Sequence, residues 1–222
     1  MGSEMCIRDR FSKYLVVGFV ALAVLSLSFT KIGGEIETIK VGAAMPGADV
    51  KLVSTNEERV TLADLYGENG LLVVFSCNSC PFVVGGKDIE GWEGRYNEVF
   101  DAAEKNKVKM VLVNSNAARR DRGESIKVMK KRAQEKGIKA MYLLDKGSAL
   151  ADDFGARTTP HVFLFNSAKK LVYAGAIDDN CNDSKQVKEK WLENALNKLN
   201  AGEKIDPNQT RQKGCSIKRV AK

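Results

Sequence analysis

The chain has 222 residues, with 35 Lys+Arg against 28 Asp+Glu (formal net charge +7), 44% hydrophobic residues, one His and five Cys. At ~100–200 residues per domain this is one ordinary domain with appendages, and the apolar content excludes a disordered chain. The modest, dispersed basic excess argues against a nucleic-acid groove. A single His excludes sites that need two imidazoles, and five Cys are too few for a disulfide scaffold but enough for redox chemistry or one metal site.

Tyr14 to Phe29 is an apolar run preceded by Arg8, Arg10 and Lys13. A basic stretch followed by an apolar one is the pattern of a secretory signal, so residues 1–30 are expected to be a signal peptide, with an uncleaved membrane anchor through residues 14–29 as the alternative. Glu4 and Asp9 fit that pattern poorly, and Cys6 is given no role. Export implies a periplasmic or other extracytoplasmic, oxidising location. Residues 31–48, with Gly33, Gly34, Gly42, Pro46 and Gly47, read as a linker into the domain.

Residues 49–53 alternate apolar and polar like a short edge strand, and Thr61 to Leu65 reads as one helical turn with Thr61 near its N-cap. Leu71 to Phe75 is continuously apolar, as in a strand buried on both faces. Cys77-Asn78-Ser79-Cys80-Pro81 follows directly. Residues 87–106 predict a helix, with Ile89, Trp92, Tyr96, Val99, Phe100 and Ala103 at helical spacing. Val108 to Val113 predicts a second buried strand, 124–136 a helix with one solvated face, Met141 to Leu144 a third strand, and Ser148 to Phe154 a short helix capped by Gly155. Val162 to Phe165 is a fourth strand and Lys170 to Ala176 an antiparallel fifth, joined by a turn at 166–169. Residues 185–200 predict a last helix, and 201–222 a polar, basic C-terminal tail. The order predicts one α/β domain over 49–200, a mixed central sheet flanked by helices.

Cys77 and Cys80 form a Cys-x-x-Cys motif between a buried strand and a helical pattern. Placed at a helix N-terminus, the first sulfur would meet free backbone N–H groups that stabilise its thiolate, and the second, one turn on, could close a disulfide with it. A zinc knuckle would want a second ligand pair at similar spacing, which Cys181 and Cys215 do not provide. Thr159-Pro160, just before a strand, is compatible with a cis bond.

These segments together resemble the thioredoxin-like superfamily, specifically its redoxin branch, which also holds alkyl hydroperoxide reductase and thiol-specific antioxidant proteins. The resemblance rests on LLVVFSCNSCPFV at 71–83, VLVNSN at 111–116, YLLDKGSALADDFGARTTPHVFLFN at 142–166 and LVYAGAIDDN at 171–180. The ending GCSIKR at 214–219 is similar to a subgroup of small thioredoxin-family proteins that tend to carry CNHCP. It implies a thioredoxin-like fold, Cys77 as nucleophile, Cys80 as resolving thiol, Pro160 as the cis-proline, and Thr159 before it in a loop that offers backbone groups to an extended peptide. The implied activity is thiol–disulfide exchange with cysteines on partner proteins, fed by an upstream electron donor or acceptor, with no cofactor, metal or nucleic acid.

Three departures stand out. Asn78-Ser79 replaces the usual intervening pair, the strand 71–75 lacks thioredoxin's buried acid, and Ser79 stands where the subgroup often has His, which predicts a milder thiol pKa shift. The peroxiredoxin pattern Pro-x-x-x-Thr/Ser-x-x-Cys fails from both Cys77 and Cys80, so a thiol peroxidase is the alternative reading. A non-catalytic binding module is another.

Other polar residues have blander expectations. Cys215 is a free thiol, an accessory redox centre, or half of a bridge to Cys181. His161 either packs at a strand start or tunes the thiolate. Asp178 and Asp179 read as a solvated pair or a cation site, Arg119 to Arg122 as a solvated cluster, and Trp92 and Trp191 as core or helix-face residues.

Overall fold

The computed structural model describes residues 36–220. The expected leader or anchor over 1–30, Cys6 and the start of the expected linker lie outside them. Among the described residues no helix is long and apolar enough to cross a membrane.

In chain order the elements are β1 (Leu52–Ser54), β2 (Arg59–Val60), β3 (Gly70–Ser76), α1 (Pro81–Val84), α2 (Tyr96–Lys105), β4 (Val108–Asn114), α3 (Ile126–Glu135), β5 (Met141–Leu144), α4 (Ala149–Phe154), β6 (Thr158–Thr159), β7 (His161–Asn166), β8 (Leu171–Gly175), α5 (Trp191–Ala201) and β9 (Cys215–Ser216). Seven strands form one sheet in the order β2-β1-β5-β4-β3-β7-β8, and β6 pairs with β9 separately. β3, β4 and β5 run parallel, while β7, β8 and β1 are antiparallel to their neighbours. This is the mixed sheet the sequence predicts.

β3 is buried along its whole length because both faces of the sheet are covered. Successive side chains of a strand point to opposite faces. Leu72 and Val74 therefore join a core with Trp92, Tyr96, Leu192 and Leu196, and Leu71, Val73 and Phe75 join another with Leu150, Phe154 and Phe163. In the second core, Phe75, Phe154 and Phe163 meet edge to face at 5.2–5.6 Å. Each fully buried aromatic of this kind contributes about 1.5–3 kcal/mol. The expected turn after Thr61 is a 3-10 turn closed by a reciprocal pair, the Thr61 hydroxyl accepting from the Asp64 N–H and the Asp64 carboxylate from the Thr61 N–H.

Three expectations are corrected. The helix expected over 87–106 begins only at Tyr96, after a 3-10 turn at Glu93–Arg95. Gly91 has φ 78°, and a Cβ there would lie 2.5 Å from the backbone of Val83 and Gly85, so the chain folds back tightly on the end of α1 instead of coiling. The later part of the expected linker is bound to the body. Gly42 N–H bonds to Leu171 C=O, Leu171 N–H to Ala43 C=O and Met45 N–H to Lys169 C=O, and Met45 is buried. The expected tail is folded as well, because Ile205 and Ile217 are buried anchors and β9 adds backbone pairing.

Candidate active site

β3 ends at Ser76 and delivers Cys77 into a short loop, and α1 begins at Pro81. The N-cap is thus Cys80, with Cys77 three residues earlier in the loop. The N–H groups of Val83 and Val84 both bond to Cys80 C=O at 2.8 Å. Pro81 has no N–H, which is no loss at a first helical position.

Both sulfurs are secluded, Cys77 at 1% and Cys80 at 4% exposure. Cys77 Sγ accepts from the Cys80 N–H at 3.3 Å and from the Thr159 hydroxyl at 3.1 Å. The Cys80 thiol donates to Thr159 C=O at 3.3 Å, and its sulfur accepts from the Cys215 N–H at 3.4 Å. The Thr159–Pro160 bond is cis, and Thr159 contacts both sulfurs.

The two thiols are driven apart. Cys77 is pushed up, first by the hydrogen bond it gives Cys80, then by burial and by the negative charges of Cys80 and Glu124, against the Thr159 hydroxyl. Cys80 is pulled down by the hydrogen bond from Cys77, then by the Cys215 side chain and N–H and the Phe82 N–H, against burial. These influences raise Cys77 and lower Cys80, while the hydrogen bonds set two donors on the Cys77 sulfur and turn the Cys80 thiol to Thr159 C=O.

Glu124 adds the smallest of the influences raising Cys77 but pins the loop between the cysteines, and the sequence reading missed it. Its carboxylate is fully buried and accepts from Asn78 N–H at 2.9 Å, the Ser79 hydroxyl at 2.5 Å and the Asn114 side-chain amide at 2.6 Å. Tyr142 OH donates to Asn78 Oδ1 at 3.1 Å. The loop between the cysteines is therefore pinned from below by a carboxylate, and Ser79, standing where a His was expected, is a donor to it. A buried acid does serve the motif, but from a loop 46 positions after Asn78 rather than from β3. Its only sequence signal was an acid at the start of the predicted helix 124–136, which reads equally as solvated, whereas the helix begins at Ile126.

The strap at 214–219 completes the site. β9 pairs antiparallel with β6, with Thr159 opposite Cys215 and Thr158 opposite Ser216. The backbone edge expected to receive an extended peptide is thus filled by the protein's own chain. A Cβ on Gly214 would lie 2.3 Å from Thr159 C=O, so only glycine permits this approach. Half-buried Cys215 lines a cavity of about 170 Å3 with Ser79, Cys80, Asn116, Arg119, Ser216 and Lys218. Cys77 is not on its wall.

The remaining candidates are placed elsewhere or act differently. Cys181 is buried, its thiol turned to Asn182 Oδ1 at 3.4 Å, and among the described residues all four cysteines are free thiols. Cys215 meets Cys80, so it is not half of a bridge to Cys181 in this state. His161 packs on Phe163 at 4.5 Å and accepts from Arg157 N–H, and burial, with the Arg157 charge, lowers its pKa to about 3. It is a neutral packing residue. Asp178 is neither solvated nor a cation ligand. It is buried and accepts from Arg95 at 2.6 Å and from the Trp92 indole at 2.8 Å. Within the expected solvated cluster, Arg120 turns inward to Asn114, Glu124 C=O and Asp145 C=O, while Arg119 stays exposed at the cavity.

The family described as Redoxin matches residues 40–191. No curated protein matches the chain. Among solved structures, an uncharacterized conserved protein from Geobacillus kaustophilus is 27% identical, with 84% of this chain and 95% of that one covered at a TM-score of 0.74. A hypothetical protein from Sinorhizobium meliloti 1021 is 28% identical, with 84% and 98% covered and a TM-score of 0.73. A thioredoxin-like protein in its oxidized form, 22% identical with 74% and 99% covered and a TM-score of 0.52, shares the fold.

Proposed function

The chain belongs to the Redoxin family and has the thioredoxin-like fold, and from that premise we propose that it is a thiol–disulfide oxidoreductase whose attacking sulfur is Cys80. The observation that carries the reading is Cys80 at the N-cap of α1, its sulfur accepting from the Cys215 N–H at 3.4 Å and the residue lining the cavity, which Cys77 does not. This reverses the order of roles expected from the motif alone.

The Cys80 thiolate attacks one sulfur of a substrate disulfide, forms a mixed disulfide and releases the other sulfur as a thiolate. Cys77 then attacks the Cys80 sulfur, its proton passes to the departing thiolate, and the Cys77–Cys80 disulfide closes. The substrate has gained the two electrons the pair has lost. Cys77 holds its proton while Cys80 is an anion beside it. Once Cys80 is in a mixed disulfide that charge is gone, and the Thr159 hydroxyl remains to steady the Cys77 thiolate.

Substrates in this reading are cysteines of partner proteins, with an upstream thiol couple restoring the pair, and the protein works outside the cytoplasm, by export or by anchoring through residues 14–29. Two measurements test it. Alkylation of the reduced full chain at neutral pH labels Cys80 before Cys77 or Cys215, and Cys80→Ser abolishes reduction of a disulfide-bonded substrate. Label entering Cys77 first, or full turnover in Cys80→Ser, overturns the assignment. Equilibration with glutathione buffers then gives direction. A potential near about −270 mV marks a reductase and one near about −120 mV an oxidant.

A further inference from the structure

Three sulfurs form a row from the interior outward, Cys77 at 1% exposure, Cys80 at 4% and half-buried Cys215. The outermost is held on a strap bonded at nearly every residue. Ile217 N–H bonds to Arg157 C=O at 3.0 Å, Lys218 N–H to Asn116 Oδ1 at 2.8 Å, and Arg219 to Asp152 at 2.6 Å, and the Ile217 side chain is buried. So rigid a mounting directly over Cys80 is more than an apolar anchor requires.

We propose that Cys215 is a second resolving thiol for Cys80, closing a Cys80–Cys215 disulfide between strap and N-cap as an alternative to the Cys77–Cys80 bond. The proposal rests on the reading of Cys80 as the attacking sulfur. β9 lies along the edge of β6 where an extended partner strand would add, so Cys215 stands in the position of a partner's cysteine. The Cys215 N–H donates to the Cys80 sulfur at 3.4 Å, and both residues line the same small cavity. A disulfide requires just such close residues, with Cα atoms about 4.4–6.8 Å apart.

The chemistry balances. The Cys215 thiolate attacks the Cys80 sulfur of a mixed disulfide, the Cys80–Cys215 bond forms, and the substrate thiolate leaves with the proton Cys215 gave up. Attack by Cys77 on Cys80 then moves the disulfide inward and frees Cys215, with no net change in oxidation state. The groups around Cys215 suit this timing. Burial and the Cys80 anion hold its thiol protonated, and the Lys218 charge opposes them. Forming the mixed disulfide removes the anion and leaves the cation.

The test uses the full chain with glutathione disulfide as probe, acid quenching, alkylation and peptide mapping. In Cys77→Ser a Cys80–Cys215 disulfide accumulates and no glutathione stays on Cys80, while the double variant Cys77→Ser/Cys215→Ser keeps one glutathione on Cys80. Cys77→Ala serves if Ser at that buried position prevents folding. Gly214→Val, which the Thr159 carbonyl leaves no room for, returns the glutathione to Cys80 in the Cys77→Ser background by lifting the strap. Glutathione persisting on Cys80 in Cys77→Ser while Cys215 stays free overturns the proposal. Glutathione absent from Cys80 in the double variant instead overturns the choice of Cys80 as attacking sulfur.

Discussion

Two buried carboxylates, on different elements, show how the same group serves two ends. Asp178 is clamped by the Arg95 guanidinium, which also bonds to Asn180 C=O and Glu90, and by the Trp92 indole. Its charge is cancelled on the spot, and the cluster ties the start of α2 to the loop after β8. Glu124 is held by an amide N–H, a hydroxyl and a side-chain amide, and Arg120 bonds only to its backbone C=O. Its negative charge is felt by Cys77. A carboxylate with an ionic partner locks a fold, and one satisfied by neutral donors leaves a field that a neighbouring thiol must live in.

The most severe way to break this contrast is Arg95→Ala. It strands a buried anion and is expected to cost about 3–5 kcal/mol, read from urea unfolding, with the order of thiol reactivity unchanged in the molecules still folded. Glu124→Gln is the converse. Losing a charged hydrogen-bond acceptor costs about 1–3 kcal/mol, but the diagnostic result is a fall in the Cys77 pKa, followed by thiolate absorbance in a Cys80→Ser/Cys215→Ser background. An unmoved Cys77 titration would mean that Glu124 only pins the loop.

His161 sharpens the contrast from the acid side. Its folded pKa is about 3 against 6.5 for a free imidazole, so between those values the unfolded chain binds the extra proton. Stability is therefore undiminished by this group above about pH 6.5 and declines as pH falls toward 3. His161→Gln should flatten that decline in pH-dependent unfolding. The smallest effect belongs to Thr159→Val, which removes one hydroxyl donor from the Cys77 sulfur. It should cost about 0.5–1.5 kcal/mol and slow closure of the Cys77–Cys80 bond in single-turnover kinetics, with the rate of initial attack preserved.

Patterns carried by adjacent residues were legible in the sequence, and juxtapositions across the sheet were not. The apolar run 71–75, the Cys pair, the hairpin at 166–169 and the cis bond at Thr159–Pro160 all lie within a few residues of their cause, and the structure has them. The start of the helix after the motif was not readable from periodicity, because Ile89 and Trp92 fall at helical spacing but Gly91 sits at positive φ. The short helix α1 that Cys80 caps was missed along with it. Glu124 and Cys215 were undervalued for a shared reason. Each reaches the motif through contacts between residues 45 and 135 positions apart, and such contacts leave no local periodicity. Composition argued against the tail, yet two isoleucines and one glycine suffice to seat it.

The strap has a further consequence for the order of assembly during synthesis. Every other strand and helix described here precedes residue 214 in the chain. Domains begin to fold as they are made, from the N-terminal side. A nascent protein therefore reaches a stage at which the sheet can close and Cys80 is present with nothing laid against β6. In that interval Cys80 lacks the cover that Cys215 and its neighbours on the strap give it in the finished fold.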